Sequence, residues 1–376
     1  MVTIKEVTTK RALRAFVTYP QRLYKDCPHF VPSMYGDDLA NWNRKKNPAF
    51  SYCDARCFLA YRDGKIVGRI AAILSHKANE KWGRDQMRFS QVDFIDDPEV
   101  SEALFATVED WALEMGCHEV HGPLGFSDLD PEGMLVEGFD RRNMFITYYN
   151  HPYYLEHMER LGYRKSVDWM EYKIFVPEKD SHAAAMLERV ANHVLKHGEL
   201  HVAKIRSRRD YKPLVRKVFE LVNIAYAHLY GVVELSDAQV KRYANKFIPL
   251  IDPRYTCFIM DREENLVAFG VTAPSMAEAL KKSHGRLFPT GWIGVLRALR
   301  KNNALDMFLI AVHPDMQSVG INAVILNHVL KSAWATGIEY AETGPQLETN
   351  EKVQHQWMFF QTRQHKRRRC FVKKLG

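Results

Sequence analysis

Apolar positions along this chain fall into two rhythms, period two and period three to four, and the order of those rhythms occurs twice. From Cys57, CFLAYRDGKIVGRIAAI is an apolar run, a charged turn (Arg62-Asp63-Gly64) and a second apolar run. Two hundred positions on, Cys257 opens CFIMDREENLVAFGVTA, with the turn at Arg262 to Asn265. Each pattern predicts a β-hairpin. An amphipathic helix follows in each half. Leu104, Val108, Trp111, Ala112 and Met115 share one face, as do Leu326, Val329, Leu330, Ala333 and Trp334. Each helix runs out at a glycine, Gly116 or Gly337, the residue that best adopts the left-handed turn past a helix end. A short strand then closes on Gly-Pro, at Cys117–Pro123 and Ile338–Pro345. A further helix and strand end each half: Tyr153–Tyr163 with Val167–Phe175, and Lys352–Arg363 with Lys366–Leu375.

The same elements in the same order predict a duplicated α/β domain, each copy a central mixed sheet flanked by helices. The polar break Val176-Pro177-Glu178-Lys179-Asp180 sets the first domain at 1–176. A connecting helix at 177–199 carries Met186, Leu187, Val190, Val194 and Leu195 on one face. The second domain, 200–376, opens with a strand at Leu200–Ile205. Between Gly122 and Tyr149 lies an irregular stretch too long for a simple connector.

Composition narrows the class. The chain has 376 residues, 46% hydrophobic and 26% charged, as expected of a globular protein of two domains. No apolar run approaches the roughly 18–20 residues that span a bilayer, and the N-terminal segment has no apolar signal region. A cytoplasmic protein without a membrane partner is the expectation. Of six cysteines only Cys53 and Cys57 lie close, and no CxxC or HxxxH pair accompanies them, so reduced thiols and no metal site are expected. The net charge of +8 gathers in bursts at Lys204–Arg209 and His365–Cys370. Such bursts are solvated edge strands, or they attract a polyphosphate ligand or nucleic acid.

One segment, FLIAVHPDMQSVGINAVIL from Phe308 to Leu326, runs a strand through a short loop into a helix near Gly320. A helix N-terminus offers unpaired N–H groups and about half a positive charge, which suits a phosphate. Glycine at 320 lets the backbone approach that phosphate. The order of elements resembles, once per half of the chain, the GNAT superfamily of acyl-CoA-dependent N-acyltransferases, and this segment is similar to that family's cofactor loop. The family pattern Gln/Arg-x-x-Gly-x-Gly/Ala meets Gln317, Ser318, Val319, Gly320, Ile321 and Asn322, with Asn322 departing from Gly/Ala. The resemblance implies acetyl-CoA or another acyl-CoA as cosubstrate. Its pyrophosphate would lie on N–H groups from Gln317 to Ala323, with the pantetheine against Val312, while Asn350 either contacts the pantetheine or caps the next helix. The first half has Asp96-Asp97-Pro98-Glu99-Val100-Ser101 instead, carboxylates that repel an anion, so that domain reads as a degenerate copy. YKDCPHFVPSM (Tyr24–Met34), KKNPAF (Lys45–Phe50), YYNHPYY (Tyr148–Tyr154) and GRLFPTGW (Gly285–Trp292) are further phrases similar to a group of bacterial tandem-GNAT proteins of this length.

Acyl transfer to an amine needs a base, an oxyanion donor and a proton for the leaving thiolate. The family usually draws the base from a strand glutamate, which implies Glu342 or Glu348; a solvent-facing role for Glu342 is the alternative. The thiolate acid is usually a tyrosine on the following helix, but Glu351–Phe360 contains none. Tyr148, Tyr149, Tyr153 and Tyr154 cluster in the first half, and Tyr153 is the candidate there. The expectation is an acyltransferase moving an acyl group, acetyl foremost, from CoA to a small-molecule or peptide amine in an interdomain cleft. Two alternatives stand beside it: a non-catalytic acyl-CoA sensor, and an aminoacyl-tRNA-dependent transferase, the one reading with a nucleic-acid partner. Oligomeric state stays open.

Overall fold

The alternating runs pair as hairpins and the helical stripes bury against them. The computed structural model describes residues 1–376 apart from 318, 351, 352, 355, 358 and 359. The chain divides into two units: Met1–Met170 with Ala277–Gly294 and Lys366–Gly376, and Glu171–Met276 with Val295–His365. The α/β class with mixed sheets is as the sequence predicts.

The first unit runs β1 (Thr3–Glu6), α1 (Lys10–Leu23), α2 (Tyr35–Asn41), β2 (Cys53–Arg62), β3 (Lys65–Ser75), α3 (His76–Trp82), β4 (Gln86–Phe94), α4 (Pro98–Glu114), β5 (Glu119–Gly122), β6 (Met134–Glu137), α5 (Tyr154–Arg160) and the start of β7 (Arg164–Phe175). Strands β1 to β5 lie in chain order, antiparallel except for the parallel β4–β5 pair. Helix α4 buries Val100, Leu104, Phe105 and Val108 against Phe89, Phe94 and Ile70. A Cβ at Gly68 would stand 2.8 Å from Leu104 Cδ1, so glycine there lets α4 settle onto β3.

The chain continues through α6 (His182–His197), β8 (His201–Val202), α7 (Leu214–Ala225), α8 (Asp237–Phe247), β9 (Thr256–Met260), β10 (Leu266–Pro274), α9 (Ala277–Lys282), α10 (Gly291–Arg300), β11 (Ala304–Val312), α11 (Ile321–Thr336), β12 (Tyr340–Thr343), β13 (Gln346–Leu347) and β14 (Thr362–Lys374). Within the second unit the sheet order is the end of β7, then β12, β11, β10, β9 and β8, with β11 and β12 parallel. Helices α6 and α11 share a core with β9 and β10 through Ala191, Val194, Ile321, Val324 and Ile325. Among the described residues no helix is long and apolar enough to cross a membrane.

Three expectations change. The strand at Leu200–Ile205 is the two-residue β8, followed by one more hydrogen bond from Ala203 to Phe258, and the chain turns where the Asp210 carboxylate accepts from the N–H groups of Arg206 and Ser207. The C-terminal strand, assigned by sequence to the second domain, belongs from Lys366 onward to the first unit, where it pairs with β5 and β6. Nor is His365–Cys370 a solvated edge: Lys366, Arg368 and Cys370 are buried. Arg369 grips Asp168 through Nε (2.7 Å) and Nη2 (2.9 Å), and Arg367 reaches Asp168 and Glu137. Arg368 donates to the Tyr148 carbonyl at 2.6 Å, and Lys373 pairs with Glu109 at 2.7 Å. Arg367, Arg369 and Lys373 are thus ion-paired, and Arg368 is held by a backbone carbonyl.

Candidate active site

Strand β11 supplies the scaffold. It pairs with β10 from Pro274↔Leu305 to Ala268↔Val312, with a register shift that leaves Phe308 as an extra residue opposite Val271 and Thr272. Such a bulge bends a strand and re-aims its backbone. On its other side β11 pairs with β12 only from Ala304↔Tyr340 to Met307↔Thr343. The Gly344 N–H donates to the Met307 carbonyl at 3.0 Å, and there the strands part. Beyond the fork β11 runs on to Val312, and His313 donates its N–H to Val267 on the β10 side. Backbone groups alternate sides along a strand, so Ile310 and Val312 turn theirs toward the side that β12 has left. Two side chains confirm this direction. The Tyr226 hydroxyl donates to the Ile310 carbonyl at 2.9 Å, and Gln317 Nε2 donates to the Val312 carbonyl at 3.4 Å.

The loop that follows carries the sequence-predicted phosphate residues. His313 caps a 3-10 turn at Pro314–Met316, and Gln317 ends that turn. Gly320 is the N-cap of α11 with φ +85°, so it is first a backbone requirement. A Cβ there would lie 3.2 Å from Val190 Cγ1 and 3.4 Å from Val194 Cγ2 of α6. Ile321 and Ala323 are buried in the α6–α11 core, and the Ala323 N–H donates to the Gly320 carbonyl at 2.9 Å. Val319 is 53% exposed, while the Asn322 Oδ1 is buried with no hydrogen-bond partner among the described residues. Ser318 lies outside the described residues, as do Glu351 and Lys352 of the predicted helix that follows Asn350.

Of the candidate bases, Glu342 stands at the fork, in register with Asp306 of β11 and Lys173 of β7. Ala341 packs with Leu305 on the α11 face of the sheet, so Glu342 and Asp306 take the opposite face. Phe308 meets Phe247 of α8, ring centroids 5.9 Å apart. Glu348 lies past the Gly-Pro step, its carbonyl accepting from Gln354 Nε2 at 3.1 Å. Asn350 acts through its backbone, its carbonyl accepting from Val353 and Gln354 and so capping the next turn. Tyr153 belongs to the first unit, where its hydroxyl donates to the Phe94 carbonyl at 2.5 Å. Glu342 thus lies in the paired part of β12 just before the fork, Val312, Gln317 and Gly320 follow on the continuation of β11, and Glu348 and Asn350 lie farther along the chain.

The equivalent fork of the first unit is closed by its own side chains. Strands β4 and β5 pair from Gln86↔Glu119 to Arg88↔His121. Beyond this point the Phe94 N–H donates to the Tyr154 hydroxyl at 2.9 Å, and its carbonyl accepts from Tyr153. Asp97 caps α4 by accepting from the Glu99 N–H, and Arg62 bridges Asp97 and Glu99 at 2.5 and 2.7 Å. The Arg62 hydrogen bond holds the Asp97 carboxyl below its usual range. The acidic loop is occupied by the protein itself.

Sequence reasoning missed two features. Tyr226 is the residue after α7 and has no spacing that marks it. In the first unit Arg69 and Asp93 form a buried pair at 2.6 Å, with the Tyr24 hydroxyl donating to Asp93 at 2.7 Å. Burial raises the Asp93 carboxyl above its usual range, against the pull of Arg69. Its signal was the lone charge of Arg69 inside an otherwise apolar strand.

No family model matches the sequence. Protein YghO of Escherichia coli K12 is 26% identical over 378 residues, 99% of this chain and 95% of that one. The bacterial ceramide synthase of Caulobacter vibrioides is 28% identical over 295 residues, 78% of this chain and 75% of that one. Among solved structures, a tandem GNAT protein from the clavulanic acid biosynthesis pathway superposes with a TM-score of 0.56 at 11% identity, covering 100% of this chain and 99% of the other. A GCN5-related N-acetyltransferase from Sphaerobacter thermophilus gives 0.52 at 10% identity, covering 99% and 95%.

Proposed function

On the premise that this chain has the fold of the tandem GNAT proteins, we propose that its second unit binds one acyl-CoA and transfers the acyl group to an amine. The observation that carries the reading is the fork: β11 pairs with β12 only to Met307, then runs on to the loop and the N-terminus of α11 with no strand on that side among the described residues, only the Tyr226 and Gln317 side chains on its carbonyls. In this reading the pantetheine lies along the backbone of Ile310 and Val312 and takes the place of the Tyr226 and Gln317 side chains on it. The pyrophosphate meets the loop from Gln317 to Asn322. Glu342 takes a proton from the amine, directly or through a water, and the amine attacks the thioester carbonyl. A β11 N–H steadies the oxyanion until the C–S bond breaks. The thiolate then takes a proton, and Tyr226 at the open edge is the group placed to give it. The sequence had looked for this acid in Tyr153, which belongs to the first unit.

For the acceptor, the similarity to a protein named bacterial ceramide synthase supports the primary amine of a long-chain amino alcohol. A fatty acyl-CoA is then the matching donor, in place of acetyl-CoA. The tRNA-dependent reading loses part of the feature that favoured it, since Arg367, Arg369 and Lys373 of the basic C-terminal strand are paired with Asp168, Glu137 and Glu109. The test is titration calorimetry with CoA, followed by release of CoA thiol from an acyl-CoA in the presence of a long-chain amino alcohol. One site per chain is expected, together with a kcat lowered about 10²–10⁴-fold in Glu342→Gln at unchanged CoA affinity. Absence of CoA binding, or two equivalent sites, refutes the assignment.

A further inference from the structure

Helix α10 and the turn before it present a surface that the acyl-transfer reading does not use. Helix α10 buries Val295 and Leu299, one turn apart, and turns its other face outward. At the border of that buried stripe Trp292 is 44% exposed and Leu296 40% exposed, again one turn apart. Phe288, just ahead of the helix, is 80% exposed. Three large apolar side chains exposed so close together in the chain are unusual on a water-facing surface. In the same segment the cations Arg286, Arg297, Arg300 and Lys301 are exposed. From Ala279 to Leu305 the sequence holds Lys281, Lys282, Arg286, Arg297, Arg300 and Lys301 and not one carboxylate.

We infer that this face seats the protein on an anionic lipid bilayer, as a peripheral contact. The two halves of the surface ask for different phases: Phe288, Trp292 and Leu296 gain by leaving water, while the cations need anions within reach. The headgroup boundary of an anionic membrane supplies both within the width of one helix. An indole also favours that boundary, with its ring in the apolar layer and its N–H among polar groups; here Trp292 Nε1 donates to the Pro289 carbonyl at 2.9 Å. A nucleic acid would match the cations and leave the apolar tips in water. A second copy of the same face would set cation against cation. The inference stands on this surface alone, so it can hold or fail independently of CoA binding.

The test is flotation of the full chain with vesicles of phosphatidylcholine alone, and of phosphatidylcholine mixed with phosphatidylglycerol. Binding is expected only to the mixed vesicles, and it should weaken as salt is raised. Phe288→Ser with Trp292→Ser, and separately Arg297→Gln with Arg300→Gln, should each weaken binding about tenfold or more, with the melting curve confirming that the variants fold. As a second readout, lipids brominated in the acyl chain should quench tryptophan fluorescence, and Trp292→Phe should remove most of that quenching although six other tryptophans remain (7 − 1). Failure to float with anionic vesicles at low salt overturns the inference. So does quenching that Trp292→Phe leaves intact, or an RNA or acidic-peptide complex that forms where no vesicle binds.

Discussion

Val319 offers a direct electrostatic probe of the phosphate loop. It is exposed, and it precedes Gly320, the N-cap of α11. A charge introduced there faces any anion on the helix N-terminus without entering the core. At about 6 Å, two unit charges interact by roughly 3 kcal/mol at an effective dielectric near 20, and by roughly 0.7 kcal/mol in bulk water. A half-exposed loop lies between these limits, and a pyrophosphate brings more than one charge. Val319→Glu should therefore weaken CoA binding about ten- to a hundredfold, while Val319→Lys tightens it and Val319→Gln leaves it nearly unchanged. Stability should hold or rise slightly in the Glu variant, because a carboxylate near a helix N-terminus contributes about 0.3–1 kcal/mol. Calorimetric titration at low and high salt is the assay, and the spread between Glu and Lys should narrow as salt increases. If all three variants bind CoA alike, the pyrophosphate is not on this loop.

Two other outcomes follow from the geometry. Gly320→Ala forces an L-residue to φ +85° and presses a Cβ to 3.2 Å from Val190, so it should cost about 1–3 kcal/mol, read as a lower Tm in the ligand-free protein; an unchanged melt would mean the loop relaxes. In the first unit, burial first and Asp130 second push the Asp128 carboxyl up to about 6 from 3.8. A folded pKa raised above the unfolded one means the native state holds the proton longer, so stability falls as pH rises from about 4 to 6, by roughly 2–3 kcal/mol. Asp128→Asn should raise the Tm at pH 7 and flatten the melt-versus-pH curve over that window; a parallel curve would refute the assignment.

Much of the scaffold was legible because it is written locally. The hairpins at Cys57 and Cys257 and the stripes of α4 and α11 are periodicities of the chain itself, and periodicity records which face is buried. Gly320 was legible for a related reason, since a strand-loop-glycine-helix leaves a helix N-terminus wherever it occurs. So was the closure of the first unit's loop, because Asp97 and Glu99 cap α4 from within its own first turn and the residue before it. What the chain could not show locally is which strand pairs with which, and for how long. The fork depends on β12 ending at Thr343 while β11 continues, a match between segments some thirty residues apart (340 − 312 = 28). Tyr226 reaches Ile310 across 84 positions, so no spacing could mark it. The basic C-terminal strand misled most: in isolation its cations read as solvent-facing, yet Arg369 is held by Asp168, 201 positions away. Periodicity assigns a charge to water unless its partner is known, and that partner is chosen by tertiary structure alone.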